Sequence, residues 1–180
     1  MPKARGFGFL VFARVYANHA GNSTTRRSRT GYIAYVNSAP VYWMSKKQNY
    51  VETSSFGSEF CAIKHCCKYL RGLCYKLLMI GIEFKGPAHI WGDNQSVLCN
   101  TSVPDLTLNK KSQIIAYHSM RKGVARDGWR TAYVSTHDNT MDLLTKGLPM
   151  GDTGGDSYGC SSIISLALPL QRPKYHMWSM

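Results

Sequence analysis

One long apolar stripe in the middle of the chain constrains the fold more than any other feature. From Phe56 to Leu77, hydrophobic residues recur at spacings of four and three, which is the pattern of one face of an α-helix about six turns long. The hydroxyl residues Thr53–Ser55 come directly before the stripe and predict the cap at the start of that helix. The β-rich segments on either side predict a sheet, so we expect an α/β domain.

Predicted strands and shorter helices complete this domain. The strands are Gly8–Tyr16, Thr30–Val36, Val41–Met44, Ala88–Trp91 and Arg130–Ser135. The shorter helices are Asn94–Thr101, Ser112–Arg126 and Asn139–Lys146. This order predicts an antiparallel hairpin at the front of the sheet and parallel strands behind it. We therefore predict one domain over residues 1–150, followed by a tail, residues 151–180, that adds no element to it.

The charge of the chain is strongly unbalanced. There are 22 lysines and arginines against 10 aspartates and glutamates, for a net charge of +12. Residues 151–180 contain equal numbers of acidic and basic side chains, so the whole excess lies in residues 1–150. A polyanionic partner such as nucleic acid explains this excess better than solubility alone, because lysine and arginine supply phosphate contacts.

Cysteine and hydropathy patterns argue against several other classes of protein. Of the 6 cysteines, most lie within the predicted long helix, and no C-x-x-C pair occurs. We therefore expect reduced thiols rather than disulfides or a zinc site. Apolar runs such as Phe7–Ala13 and Ile163–Leu170 are much shorter than the roughly 20 residues that cross a bilayer. We expect an intracellular protein, in the cytoplasm or the nucleus, with no membrane partner.

Three carboxylates stand near the ends of predicted elements. Glu59 follows the start of the long helix, Asp93 follows the fourth strand, and Asp142 lies in the last helix. Cleavage of a phosphodiester by two metal ions requires carboxylates that converge from different elements. These residues are therefore candidate metal ligands, with water as the nucleophile. For Glu59 an alternative stays open, namely an ordinary glutamate in the first turn of a helix, where the helix dipole favours an anion.

Several long motifs, which together cover roughly residues 11–149, carry a family resemblance. They are NHAGN (18–22), TRRSRTGY (25–32), WMSKKQN (43–49), SSFGSEF (54–60), DNQS (93–96), YH (117–118) and DLLTKGLP (142–149). In these motifs, and in their order, the chain resembles the RNase H domain that ends the Pol polyprotein of copia-type LTR retrotransposons. Long motifs in register are a much more specific signal than one short pattern.

The resemblance implies both a fold and an activity. The fold is the α/β RNase H-like fold, a five-stranded mixed sheet flanked by helices. The activity is cleavage of the RNA strand of an RNA–DNA hybrid, with Mg²⁺ or Mn²⁺ as cofactor. The implied partners are the RNA–DNA hybrid or another nucleic acid, together with the polymerase domain of a reverse transcriptase in the ancestral polyprotein.

Site residues follow from the resemblance one at a time. Glu59, Asp93 and Asp142 match the catalytic, metal-binding carboxylates of the family. His137 lies in the loop where RNase H enzymes often carry a mobile histidine that assists proton transfer or product release. For His137 an ordinary surface histidine is an equal alternative.

The first strand departs from the family pattern. The family usually has Asp-Ala-Asp there, whereas this chain has Tyr16 at the catalytic position and Asn18 at the second. No aspartate or glutamate occurs before Glu52 to replace the lost charge. A phenol is neutral near pH 7, and hard cations prefer carboxylate or carbonyl oxygen. We therefore expect weakened metal binding and lost or very low cleavage. The alternatives are a non-catalytic nucleic-acid-binding module or a decayed transposon fragment.

Basic residues near the predicted hairpin and near the predicted helix Ser112–Arg126 are candidate phosphate contacts. They are Arg26, Arg27, Arg29, Lys46, Lys47, Lys110, Lys111, Arg121 and Lys122. As a group they suit the backbone of a nucleic-acid hybrid. As solubilising charges they need no partner, and that alternative stays open.

Overall fold

A computed structural model of the chain describes residues 8–102 and 114–135. Strands and helices follow one another along these ranges in the predicted order. The elements are β1 (Val11–Asn18), β2 (Arg29–Val36), β3 (Ala39–Lys47), α1 (Ser55–Met79), β4 (Ala88–Gly92), α2 (Gln95–Ser102), α3 (Ile114–Ala125) and β5 (Trp129–Tyr133).

The strands form one mixed sheet with the order β3-β2-β1-β4-β5. β1 pairs antiparallel with β2, and β2 pairs antiparallel with β3. β4 pairs in parallel with β1 on one side and with β5 on the other. This topology confirms the predicted hairpin at the front and the parallel strands behind it.

Helix α1 is the long helix that the apolar stripe predicts. Ser54 is its N-cap, because the Ser54 hydroxyl accepts a hydrogen bond from the backbone N–H of Gly57 at 3.2 Å. On the stripe, Phe60, Ile63 and Leu70 are at most 1% exposed. Burial of each such side chain contributes about 1.5–3 kcal/mol, so this face anchors the helix to the sheet.

The three described helices share one hydrophobic core on the same face of the sheet. Alternate residues of β1 turn toward that core, so Tyr16, which lies between Val15 and Ala17, belongs to the opposite face of the strand. The helices contribute Phe60, Ile63, Cys66, Cys67, Leu70, Val97, Leu98, Tyr117 and Met120. The core therefore fixes β1 and α1 relative to each other.

One strand boundary differs from the prediction in a way that affects the site. The sequence predicts a first strand over Gly8–Tyr16, whereas β1 runs over Val11–Asn18. The Asn37 side chain accepts a hydrogen bond from the backbone N–H of Leu10 at 3.0 Å, so a residue distant in sequence occupies this N–H directly before β1. At its other end the strand runs to Asn18, two residues later than predicted.

Other expectations are either confirmed or fall outside the described ranges. The described cysteines are free thiols, as expected, and Cys61, Cys66 and Cys67 are buried. Within residues 8–102 and 114–135, no helix has the length and apolar character that a membrane span needs. The predicted helix Asn139–Lys146, the boundary near residue 150 and the tail lie outside the described residues, so they stay predictions.

Candidate active site

A cleft of about 450 Å³ opens at the edge of the sheet where β1, β4 and β5 end and α1 and α2 begin. Parallel strands of an α/β sheet present reactive groups at their carboxyl ends, and the sequence places Asp93 at such an end. The cleft is lined by Tyr16, Ala17, His19, Ser55, Glu59, Asp93, Asn94, Gln95, Ser96 and Tyr133.

Tyr16 and Asp93 lie at corresponding positions just beyond the paired residues of β1 and β4. β1 and β4 are paired in parallel, with Arg14 opposite Trp91. Tyr16 and Asp93 each lie two positions further along the chain, so continuing this register puts them opposite each other. Both residues line the cleft. A phenol, and not a carboxylate, is therefore the β1 neighbour of Asp93.

Glu59 reaches the cleft from α1. It is the fifth residue of the helix and is only 5% exposed, so the alternative of an ordinary first-turn glutamate is wrong. Its Oε1 accepts a hydrogen bond from the backbone N–H of Ala17 at 2.8 Å. Burial, together with the charge of Asp93, raises the pKa of Glu59 to about 8, although the Ala17 N–H opposes this shift. Near neutral pH the Glu59 carboxyl group therefore keeps its proton.

A buried glutamine fixes the start of α1 against the hairpin. The Nε2 atom of Gln48 donates to Thr30 Oγ1 at 3.0 Å and to the carbonyl oxygen of Ser58 at 2.9 Å. Its backbone N–H donates to the carbonyl oxygen of Ser28 at 2.8 Å. Each bond contributes about 1 kcal/mol, and together they join β2, the end of β3 and α1 directly beside Glu59.

Asp93 stands at the turn between β4 and α2. The next residue, Asn94, is the cap of that helix, because its Oδ1 accepts a hydrogen bond from the backbone N–H of Val97 at 3.2 Å. The capping bond fixes the point at which the chain turns, and thus the position of Asp93. The motif DNQS therefore combines a candidate ligand with the residue that caps the following helix.

The described residues do not by themselves form a site for two metal ions. Two carboxylates, Glu59 and Asp93, line the cleft. Across the described ranges, no group of three or more histidine, cysteine, aspartate or glutamate side chains lies close enough together to hold a metal ion. The third predicted ligand, Asp142, lies outside the described residues, as does His137.

Two residues of the motif NHAGN (18–22) have positions that differ from what the sequence suggests. Asn18 is absent from the lining of the cleft, and its side chain lies over Gly21, where an added Cβ would come within 2.5 Å of it. His19 does line the cleft, and its Nδ1 is buried without a hydrogen-bond partner in the described part of the chain. The sequence contained His19 inside a family motif but gave no indication of its position.

Five of the predicted phosphate contacts lie at the same edge of the sheet as the cleft. The end of β3 pairs with the start of β2, and the start of β2 pairs with the end of β1. The loop before β2 is a closed turn, in which the Asn22 side chain accepts a hydrogen bond from the backbone N–H of Thr25 at 2.7 Å. All five side chains are exposed. We call Arg26, Arg27, Arg29, Lys46 and Lys47 the strand-end basic group.

The remaining predicted contacts are placed less favourably or not described. Arg121 is half-buried and donates a hydrogen bond to the hydroxyl of Tyr117 at 3.0 Å, one turn earlier in α3. Its guanidinium also lies over the Tyr117 ring, 5.2 Å from the ring centre. Lys122 is exposed near the end of α3. Lys110 and Lys111 lie outside the described residues.

Comparisons of sequence give relatives of one kind. No family model matches the chain. The chain is 33% identical over 132 residues to the "Retrovirus-related Pol polyprotein from transposon RE2" of Arabidopsis thaliana. It is 28% identical over 133 residues to the "Retrovirus-related Pol polyprotein from transposon TNT 1-94" of Nicotiana tabacum. These matches cover 73% and 74% of this chain but only 9% and 10% of the two polyproteins.

Comparisons of structure give ribonucleases H. LC11-RNase H1 in complex with an RNA/DNA hybrid matches with a TM-score of 0.57 and 9% identity, over 74% of this chain and 92% of that chain. RNase H1 from Halobacterium salinarum NRC-1 matches with a TM-score of 0.51 and 13% identity, over 74% of this chain and 92% of that chain. At such low identity the likeness concerns the fold alone. It confirms the predicted α/β RNase H-like fold.

Proposed function

Because this chain is an RNase H-like domain of the retrotransposon Pol polyprotein type, we propose that it binds RNA–DNA hybrids at the cleft edge and cleaves them weakly or not at all. Tyr16 carries the second half of this proposal. Tyr16 and Asp93 each lie two residues beyond the last register pair of β1 and β4, Arg14 and Trp91, and both line the cleft. A neutral phenol at this position withdraws one anionic oxygen ligand from any cation beside Asp93.

The state of Glu59 supports the same conclusion. Without a bound cation its pKa is about 8, so a cation that binds here near neutral pH has to displace the proton from this carboxyl group, and this lowers its affinity. Restoring a carboxylate beside Asp93 adds charge that Mg²⁺ or Mn²⁺ can balance. We therefore propose that either ion binds weakly to the native cleft and more tightly once an aspartate replaces Tyr16.

The strand-end basic group supports hybrid binding. Its five cations are exposed and lie at the same edge of the sheet as the cleft. A hybrid that crosses the cleft brings its phosphates past this edge, and phosphate contacts supply most of the sequence-independent affinity. Among the structural neighbours, LC11-RNase H1 and a foamy viral protease-reverse transcriptase are each described in complex with an RNA/DNA hybrid.

The proposed protein partner is the polymerase domain of a reverse transcriptase. The chain spans about a tenth of the length of the Pol polyproteins that it matches. Such a partner would deliver the hybrid, while the domain described here would supply a basic surface beside the cleft. A non-catalytic binding module is the second candidate function, and the strand-end basic group favours it over an inert fragment.

The decisive experiment compares hybrid cleavage by the wild-type chain and by Tyr16→Asp, in Mg²⁺ and in Mn²⁺. We expect cleavage by Tyr16→Asp alone, since this variant restores a carboxylate opposite Asp93. Tyr16→Asn is the matched control, because it has nearly the size of aspartate but no charge, and we expect it to be inactive. Binding of the hybrid by all three proteins is measured in parallel by fluorescence anisotropy.

Each outcome bears on one half of the proposal. Metal-dependent cleavage by the wild-type chain would contradict the loss of activity. Failure of the folded wild-type chain to bind the hybrid at low salt would contradict the binding function. Binding by all three proteins with no cleavage by Tyr16→Asp would leave the non-catalytic module as the function.

A further inference from the structure

The solvent face of α1 is basic and has no acidic partner along the helix. From Ser55 to Met79 the single acidic residue is Glu59, and it is buried in the cleft. Solvated helices usually mix both signs, because i to i+4 pairs of glutamate and lysine stabilise them. We call the exposed residues Lys64, His65, Lys68 and Arg71 the basic face of α1.

Helical spacing places these side chains along one path. Lys64, Lys68 and Arg71 are separated by four and three residues, so they follow each other along one side of the helix. At about 1.5 Å per residue, the path is about 10 Å long, which matches about three base-pair steps of a duplex. At its far end, the Arg71 guanidinium lies 5.1 Å from the centre of the Trp129 ring, so that cation is held in a defined position.

The basic face of α1 is continuous with the strand-end basic group through Lys46. This lysine lies at the end of β3, two residues before Gln48, whose side chain donates to the carbonyl oxygen of Ser58 in α1 at 2.9 Å. Burial lowers the pKa of His65, and the charges of Lys64, Lys46 and Lys68 lower it further. The charges of lysines from both α1 and β3 therefore act on His65. The acidic residue before the helix, Glu52, acts on Tyr50 and Cys61 and is not among the groups that shift His65.

We propose that the basic face of α1 is a second phosphate-binding surface, which holds the backbone of a nucleic-acid hybrid beyond the cleft. The hybrid passes the strand-end basic group first, reaches Lys46, and then follows Lys64, Lys68 and Arg71 along the helix. This inference extends the proposed hybrid binding and rests on it. Recognition at this surface is through phosphates alone, so it depends on salt and on the length of the hybrid but not on base sequence.

The test measures binding of two hybrids to the full chain over a range of salt concentrations. The shorter hybrid covers the cleft edge, and the longer one is about twice that length, so that it also reaches α1. The test variant is Lys64→Ala/Lys68→Ala. The matched control is Lys85→Ala/Arg126→Ala, which removes the same charge from two exposed residues that precede β4 and β5. A cleft-edge variant, Arg27→Ala/Arg29→Ala, reports on the proposed function separately.

We expect the α1 variant to bind the longer hybrid about tenfold more weakly and to bind the shorter hybrid as the wild type does. For the longer hybrid, the slope of log K against log salt concentration should be smaller in magnitude by about 2 in this variant, one unit for each lost phosphate contact. The control variant should bind both hybrids like the wild type. As an independent readout, NMR should show that the longer hybrid raises the pKa of His65, because phosphates offset the charge of the lysines around it.

The remaining outcomes separate the two proposals. If the α1 variant and the control variant lose affinity equally, net charge explains the effect and the surface on α1 is wrong. The same conclusion follows if the α1 variant binds the longer hybrid normally, and hybrid binding at the cleft then stands as long as the cleft-edge variant weakens it. If neither the α1 variant nor the cleft-edge variant changes binding of the hybrids, both proposals are wrong.

Discussion

Glu59 combines burial with a charged neighbour, and this combination makes folding stability depend on pH. The pKa of Glu59 rises from 4.5 to about 8 in the folded protein. Between these values the folded state holds a proton that the unfolded state releases, so stability falls as pH rises through the window. One pKa unit corresponds to about 1.4 kcal/mol, so the full cost is on the order of a few kcal/mol and is complete above the window.

The variant Glu59→Gln should therefore be more stable than the wild type above this window and equally stable below it. Glutamine keeps an oxygen that accepts the Ala17 N–H but has no charge to bury. Urea unfolding with a chelator, at pH values below, within and above the window, measures the effect. Asp93→Asn is the control, since removing the neighbouring charge should lower the Glu59 pKa and flatten the pH dependence. A stability difference that does not change with pH would contradict this account.

At the scale of single residues, the sequence predicted which side chains line the cleft better than it predicted their protonation and contacts. Glu59, Asp93 and Tyr16 were all found from motifs and element ends, and all three line the cleft. The proton on Glu59 was not predictable, because it depends on distances to β1 and to Asp93 that arise only in the folded chain. The same holds for Asn18, whose side chain lies over Gly21.

Among the elements, α3 and α1 offer a pair of glycines with opposite roles, Gly123 and Gly72. In α3, a Cβ on Gly123 would meet the Trp129 ring at only 2.0 Å, whereas in α1 a Cβ on Gly72 would meet nothing within 4 Å. The first glycine permits close packing of α3 on β5. The second only costs helix stability, since glycine is about 1 kcal/mol less favourable than alanine in a helix interior.

The paired variants Gly123→Ala and Gly72→Ala should thus change stability in opposite directions. We expect Gly123→Ala to destabilise the protein by about 1–3 kcal/mol, because overpacking outweighs the gain in helix propensity. Gly72→Ala should stabilise it by about 0.5–1 kcal/mol. Chemical unfolding of both variants at one pH measures the free energies. Stabilisation by both substitutions would contradict the close contact between α3 and β5.

Whether a segment is a helix or a strand was predictable from its local sequence pattern. The residues at which helices and strands begin and end were less predictable. The apolar stripe and the hydroxyl cap specify α1 within the sequence itself, and Ser54 is indeed the cap. The start of β1 depends on the Asn37 side chain, which lies 27 residues away from Leu10 in sequence. A contact of this range leaves no local signal, and the predicted strand was therefore shifted along the chain.

On the scale of the whole molecule, the sheet has a polar end and an apolar end. The cleft and the strand-end basic group lie where β1 and β4 finish. At the end of α1, by contrast, the large hydrophobic side chains of Tyr75, Leu78, Met79 and Ile80 are 46–67% exposed. A cluster of this kind promotes association of copies at high concentration.

Replacing two of these side chains, in Met79→Lys/Ile80→Lys, should reduce concentration-dependent self-association. The folding free energy should change by less than about 0.5 kcal/mol, because both side chains are already solvated. Light scattering over a range of concentrations, together with urea unfolding, measures the two quantities. Val41→Lys serves as the control, since Val41 is exposed on β3. Equal association of wild type and double variant would show that this cluster is inert.

The contact between Trp129 and its neighbours also has a spectroscopic consequence. Trp129 is 4% exposed and joins three elements, with Gly123 of α3 against its ring and Arg71 of α1 above it. Trp43 lies on β3, in the antiparallel half of the sheet. The intrinsic fluorescence of Trp129 should consequently report docking of the helices onto β5. Because the chain has 4 tryptophans, a background in which Trp43, Trp91 and Trp178 are replaced by phenylalanine would isolate that emission. An observer could then follow assembly of the parallel half of the molecule in real time, without attaching any label.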